Sequence, residues 1–240
     1  MTGSASVEAA DVKNIAIEWA AGTVDISVVE DGGDAVELIE SDSNSLTRSQ
    51  KMRWSVSGGT LKIEYGPGFA CSALGQKRLE VRIPQRFADA FGTVSVSGAS
   101  GHYALAGFGC EELRLDLASG EIQASDVRAD ALDVDVASGQ VRVEGRMANR
   151  VDVDVASGQV DVMCLQDAPS SVDAKLASGQ VIVALPENDG FTAKVDALSG
   201  SFSSAFETTQ QDGRYLYGDG GISVDVDMTS GTFRLEKSTR

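Results

Sequence analysis

Histidine occurs once in the 240 residues and cysteine three times, which removes much of the usual apparatus of metal binding and catalysis. A lone His102 has no second imidazole to share a metal, and a general base needs an orienting partner and a nearby nucleophile. Cys71, Cys110 and Cys164 show no Cys-x-x-Cys spacing. Cys164 continues the apolar phase of Val160 and Val162, so it is expected as a small core residue. Whether Cys71 and Cys110 pair is left open, because pairing depends on a geometry that sequence does not carry. No run of eighteen apolar residues exists, so no membrane-spanning segment is expected. The opening MTGSASVEAADVKN has neither the basic end nor the apolar stretch of a signal peptide, which fits a cytoplasmic protein or one whose leader was removed. Basic residues are outnumbered, 20 Lys and Arg against 36 Asp and Glu, for a net charge of −16. Nucleic-acid phosphates require the opposite sign, and an anionic membrane surface would repel such a chain. Solubility is the simplest use of the charge. Apolar residues at helical spacing are also scarce.

What the chain has instead is a repeat. Leu132 to Glu144 reads LDVDVASGQVRVE, and Val151 to Val162 reads VDVDVASGQVDV nineteen residues later. Leu132, Val134 and Val136 alternate with Asp133 and Asp135, and Val141 and Val143 alternate with Gln140 and Arg142. Period-two alternation marks a strand with one dry and one wet face. The Ala-Ser-Gly between the two strands is expected to be a corner, with Gly139 and Gly158 supplying positive φ. Related corners fall at Ala21-Gly22, Gly58-Gly59, Ser100-Gly101, Ser119-Gly120, Ser178-Gly179, Ser199-Gly200 and Ser230-Gly231.

A period near twenty is half a propeller blade and lacks the asymmetric pattern of leucine-rich repeats. Stacked parallel coils explain why the same corner recurs once per unit, since each coil buries its apolar side only against neighbours. The expected fold is therefore all-β: a single-stranded parallel β-helix, or β-solenoid, turning right-handed as parallel crossovers do. One domain is expected over residues 1–240, with irregular N-terminal coils forming a cap over 1–92 and regular coils over 93–235. The charged tail Glu236 to Arg240 would deter edge pairing at the far end.

The V-D-V-x-x-A-S-G-Q-V-x-V units resemble the DUF4097 family of bacterial β-strand-repeat proteins, described as candidate adhesins. The resemblance is clearest from Thr93 to Leu235. It implies a right-handed β-helix and, for many members, attachment to the cell envelope.

The main surface feature is an acidic grid. Asp116, Asp135 and Asp154 stand three residues before their corner serines, and Asp133, Asp152 and Asp173 stand five before. Coils about 4.8 Å apart would bring these carboxylates together on a wet face. A solvated surface is the first reading, with a divalent-cation surface or a basic protein partner as the others. Arg114, Lys175 and Lys194 are expected to neutralise the ends of the columns. Gln140, Gln159 and Gln180 would stack as an amide ladder, with His102 in the same column. Tyr215 and Tyr217, on the long insertion from Phe206 to Gly221, suit either covering the last coils or contacting a protein or sugar. The pattern breaks again at Gly66 to Gly75. No catalytic residue, metal ligand or cofactor is assigned. The function expected is a non-enzymatic binding or scaffold module of the envelope with a protein or glycan partner. The alternative is a lyase-type enzyme using Arg142 between Asp135 and Asp154.

Overall fold

A computed structural model describes residues 1–30, 33–66 and 77–238. Apart from two single-turn 3-10 helices, Ala9–Asp11 and Gln85–Phe87, its regular structure is all strand. The strands join in one open sheet, not a barrel, that winds through successive solenoid-like coils. The longest strand, Gly109–Cys164, runs through three Ser-Gly corners without losing its ladder. Its final part pairs in parallel with Ser171–Leu185, Val151 opposite Val172 before the corner and Val160 opposite Val181 after it, with Gly158 opposite Gly179 between.

The alternation read in the sequence is the alternation seen. Leu132, Val134 and Val136 are buried, and so are Val141 and Val143. The inward phase passes from even to odd numbers across Ala-Ser-Gly-Gln, which makes the segment a corner. Apolar columns follow: Ile15 lies opposite Val94, Val153 opposite Ala174, and Ala174 opposite Val226. A β-branched residue suits a pleated position walled by the coils above and below. Cys164 lies in this core, and burial pushes its thiol up to about 12. Burial also pushes the partly buried Cys110 thiol to about 12. Cys71, and the pattern break from Pro67 to Gly75, lie outside the described residues.

The corner glycines have a different reason than the one expected at two sites. Gly120 and Gly179 do adopt positive φ, 101° and 125°, but Gly139 and Gly158 do not. At Gly158 a Cβ would stand 2.6 Å from the carbonyl oxygen of Gly139 and 2.9 Å from Val136 Cγ1. At Gly139 it would stand 2.7 Å from Leu117 Cδ2 and 2.9 Å from the Gly120 oxygen. The backbones stack so closely here that the side chain is excluded by its neighbours, whatever the dihedral. This contact continues through Gly101, Gly120, Gly139, Gly158, Gly179 and Gly231.

Gly58-Gly59 is not a stacking corner. It is the turn of an antiparallel hairpin between Arg53–Ser57 and Thr60–Glu64, with φ of 58° and 79° at the two glycines. A two-residue hairpin with both central φ positive matches the right-handed twist of its strands. Leu61 and Ile63 consequently precede their corner, opposite Ile15 and Ile17, where the sequence pattern had put them after it.

The coils are not stacked in chain order. Asn14–Trp19 lies between Thr60–Glu64 and Phe91–Gly98, and Thr23–Val29 between Arg78–Pro84 and His102–Ala106. Near the other end Ile222–Met228 lies between Ser171–Leu185 and Gly190–Ala197. The last coil in sequence is thus inside the stack, and Glu236 and Lys237, which pair with Ala184 and Leu185, do not guard an outer edge. Antiparallel strands flank the outermost parallel strands instead: Ala35–Ser41 along Arg78–Pro84, and Arg214–Gly218 along Gly190–Ala197.

Candidate functional site

The strands that precede each corner carry the acidic grid on their outer face. Asp152 pairs in register with Asp173, and Asp173 with Asp225; in the neighbouring column Asp154 pairs with Lys175, and Lys175 with Asp227. Carboxylates one coil apart repel by about 1 kcal/mol in water and more where water is partly excluded. The fold relieves some of this. Ser97 Oγ donates to Asp116 Oδ2 at 2.9 Å, Arg150 pairs with Asp152, and Lys175 Nζ lies 4.0 Å from Asp154. Lys175 sits in mid-column and does not close an end. Arg114 turns to Glu112 at 2.8 Å, and Lys194 to Asp196 at 2.6 Å.

Desolvation raises the pKa of Asp133, Asp135 and Asp152 above the ordinary carboxylate value. The carboxylates of Asp116, Asp154 and Asp133 push Asp135 further in the same direction. At Asp152 the Arg150 guanidinium opposes the shift, and at Asp133 Asp152 adds to it before Arg150 counters. The grid is a strained electrostatic surface that favours cations or protons.

Beside the grid runs a groove floored by the alanines of the Ala-Ser-Gly corners. One stretch, of about 650 Å³, is bounded by Glu18, Trp19, Glu64, Tyr65, Asp116 and Asp135 over a floor of Ala20, Ala99, Ala118 and Ala137. A second, of about 770 Å³, continues past Asp135 along Asp154, Lys175, Asp196 and Asp227 to Leu198, whose side chain is 88% exposed. Asp135 belongs to both stretches.

The first stretch is backed by an unusual buried cation. Lys77 is 1% exposed and its Nζ lies 2.7 Å from Glu40 Oε1. The ammonium also donates to the Gln50 carbonyl at 2.9 Å and to that of Tyr65. It sits 5.0 Å from the Trp19 ring centre and 4.4 Å from that of Tyr65, a cation between two π faces. Gly98 lies opposite Trp19 in the ladder and leaves room for the Tyr103 ring, whose Oη donates to the Trp19 carbonyl at 2.7 Å. The Trp19 indole Nε1, by contrast, is buried with no hydrogen-bond partner among the described residues.

The remaining expected residues divide between faces. Asp116, Asp133, Asp135, Asp152, Asp154 and Asp173 share the grid. Tyr215 and Tyr217 do not join it. They lie on Arg214–Gly218 and pack on Phe202 at 4.7 Å and on Phe206 at 4.9 Å, so they cover the last coils. Arg142 projects from the strand after the corner and reaches Asp161 Oδ2 at 3.2 Å, so it is not between Asp135 and Asp154. The amide ladder is not formed by Gln159, whose Nε2 turns along its own strand to Asp161 at 3.0 Å. His102 Nδ1 is 3.3 Å from Glu121 in the neighbouring coil. Among the described residues no group of three His, Cys, Asp or Glu side chains is placed to hold a metal ion.

The sequence profile of the Toastrack DUF4097 family matches residues 12–236. The chain belongs to that family. No curated protein matches it in sequence. Among solved structures, it is similar to a candidate adhesin from Bacteroides fragilis with a TM-score of 0.54 and 14% identity, covering 98% of this chain and 96% of that one. It is also similar to a candidate cell adhesion protein from Clostridium sporogenes, TM-score 0.44 and 12% identity, covering 99% of each chain. A third likeness, TM-score 0.42 and 15% identity, is to a candidate lipid-binding protein from Parabacteroides distasonis, covering 100% of this chain and 96% of that one. At such identities the Bacteroides structure speaks for the Toastrack fold alone. The family membership extends the resemblance read from the repeats to nearly the whole chain. No described helix is long and apolar enough to cross a membrane.

Proposed function

We propose that this Toastrack chain is a non-enzymatic, adhesin-like binding module of the bacterial cell envelope, and that the acidic grid with its groove is its binding surface. The partner is a protein or a glycan. The observation that carries this reading is the coincidence of two features along one edge of the stack. Asp135 stands both in a carboxylate column whose repulsion is only partly relieved and in the wall of a groove that crosses the coils. Catalytic sites break the local pattern of a repeat protein, whereas a surface built by repetition presents one chemistry over many coils. The fold-level likeness to a candidate adhesin supports the same reading. The lyase-type alternative asks for an arginine between the carboxylates, and Arg142 is engaged with Asp161 on a different strand face.

The same proposal takes residues 1–240 as one right-handed β-helical domain, with 1–92 acting as its N-terminal cap. The test is retention of the purified protein, coupled to beads, on envelope material from bacteria. Retention is expected for the native chain and is expected to fall at least tenfold when Asp133, Asp135, Asp152 and Asp154 are all changed to Asn. Equal retention of both would remove the grid from the reading. Release of unsaturated sugar from an acidic polysaccharide would replace it with the lyase.

A further inference from the structure

We propose that the strand Ser201–Ser204 joins the same strand of a second copy, antiparallel about a two-fold axis, so that one sheet runs through both molecules. The inference concerns assembly and does not depend on what the acidic grid binds.

The backbone provides the first observation. On the faces that meet at the corners, Thr60–Glu64, Arg78–Pro84 and Gly190–Ala197 end the stack, and each carries an antiparallel strand on its outer side. Ser201–Ser204 also ends the stack. It pairs with Thr232–Lys237 on one side, and no described strand pairs with it on the other. The Ser201 N–H donates to the Gly231 carbonyl at 3.0 Å, and the Ala205 N–H to that of Leu235 at 2.8 Å. Successive residues of a strand point their backbone groups to alternate sides, so those of Phe202 and Ser204 face the open side. Such a row of unpaired N–H and C=O groups is a template for another strand.

The side chains provide the second. Natural edge strands are commonly guarded by charge, and here charge is withdrawn. The outward column Asp161, Ile182, Arg234 ends in Ser203. No residue from Ala197 to Phe206 is charged. At the corner that leads into this edge stands Leu198, 88% exposed, where the inner corners carry Ala118, Ala137, Ala156 and Ala177.

The match of the edge to itself selects a second copy as the occupant. When Phe202 lies opposite Ser204 of the second copy, the two-fold axis sets Ser204 opposite Phe202 of that copy, and both pairs exchange N–H and C=O. Ser203 then meets its own counterpart in a non-hydrogen-bonded pair, with Cα atoms about 4.5 Å apart, where two small hydroxyl side chains fit. A net charge of −16 sets two copies against each other over most of their surface, whereas contact along this edge opposes no like charges. A closed two-fold contact also leaves no further copy of the edge exposed.

The test is sedimentation velocity of the full chain between about 1 and about 200 µM, since association by mass action depends on protomer concentration. The native chain is expected to pass from monomer to dimer over this range. Ser203→Lys and Ser203→Glu each set like charges opposite one another and are each expected to weaken self-association at least tenfold. Mixed in equal amounts, the two variants set unlike charges opposite and are expected to regain association at least tenfold over either alone. That recovery separates a charge effect at the two-fold axis from a loss of folding, and circular dichroism of each variant is recorded alongside. Asp135→Asn, in the grid, is expected to change association less than twofold. A native chain that stays monomeric, charged variants that associate as the native chain does, or a mixture that stays monomeric would each overturn the inference.

Discussion

Replacing Gly158 by alanine isolates what the glycine column contributes. The residue is not in the left-handed region, so alanine meets no dihedral penalty there. The added Cβ must instead find room 2.6 Å from the Gly139 carbonyl oxygen and 2.9 Å from Val136 Cγ1. The oxygen is backbone in a paired ladder, so relief requires two coils to move apart locally. Overpacking of this kind costs about 1–3 kcal/mol. For a chain of this length that is a fall in melting temperature of about 2–12 °C. Two companions bracket the effect. Gly213 has φ of 75° and nothing within 4 Å of a new Cβ, so Gly213→Ala pays only the left-handed strain, about 1–2 kcal/mol. Gly179 has φ of 125° and a Cβ that would press on the Gly158 oxygen, so Gly179→Ala pays both and is expected to be the worst of the three. Thermal and urea unfolding followed by circular dichroism give the ranking. If Gly158→Ala proves as stable as the native chain, the column is not held by backbone contact and the stacking argument fails.

Val153→Asp is expected to lose several kcal/mol, because the charge would be buried opposite Ala174 with no partner, whereas Asp152→Asn on the outer face should be neutral or mildly stabilising; urea midpoints decide, and similar small effects would refute the assigned phases. The raised pKa of Asp135 carries a sign: its protonated form is the one the fold favours, so its contribution is full below the unfolded value and is lost as pH rises through the folded one. Asp135→Asn should therefore stabilise the chain at about pH 7 and lose that advantage near pH 4, and a melting-temperature gap that widens in acid would contradict it. Lys77→Met strands the buried Glu40 carboxylate and should cost about 3–5 kcal/mol, with Lys77→Met/Glu40→Gln recovering much of the loss. A single variant as stable as the double would show that the pair is not coupled.

How much of this was legible in the sequence depends on the range of the interaction. Side-chain phase was legible because Leu132, Val134 and Val136 report their burial through period two alone. The identity of each neighbour was not, because every coil presents the same apolar face and fits against any other. Chain order therefore looked like stack order, and the transposed coils at 14–29 and 222–237 could not be seen. Gly58-Gly59 failed for a related reason: two glycines between alternating strands fit a hairpin as well as a corner, and only the partner strand distinguishes them. The grid was visible because its aspartates repeat in register. The groove was not, since Trp19, Tyr65 and Asp135 come from separate coils and meet only once those are stacked. Lys77 gave no signal, being one lysine beside a stretch with no alternation.

The place of 222–237 in the stack also sets a timetable. A nascent chain grows from its N-terminus, so the segment 190–218 leaves the ribosome before the coil it must rest on exists. Ser171–Leu185 meanwhile presents an unoccupied ladder that Ile222–Met228 and Thr232–Lys237 complete in the native register. Synthesis must run through 222–237 before this part of the stack can close. A protein made otherwise as a string of interchangeable coils is thereby finished by a single late one.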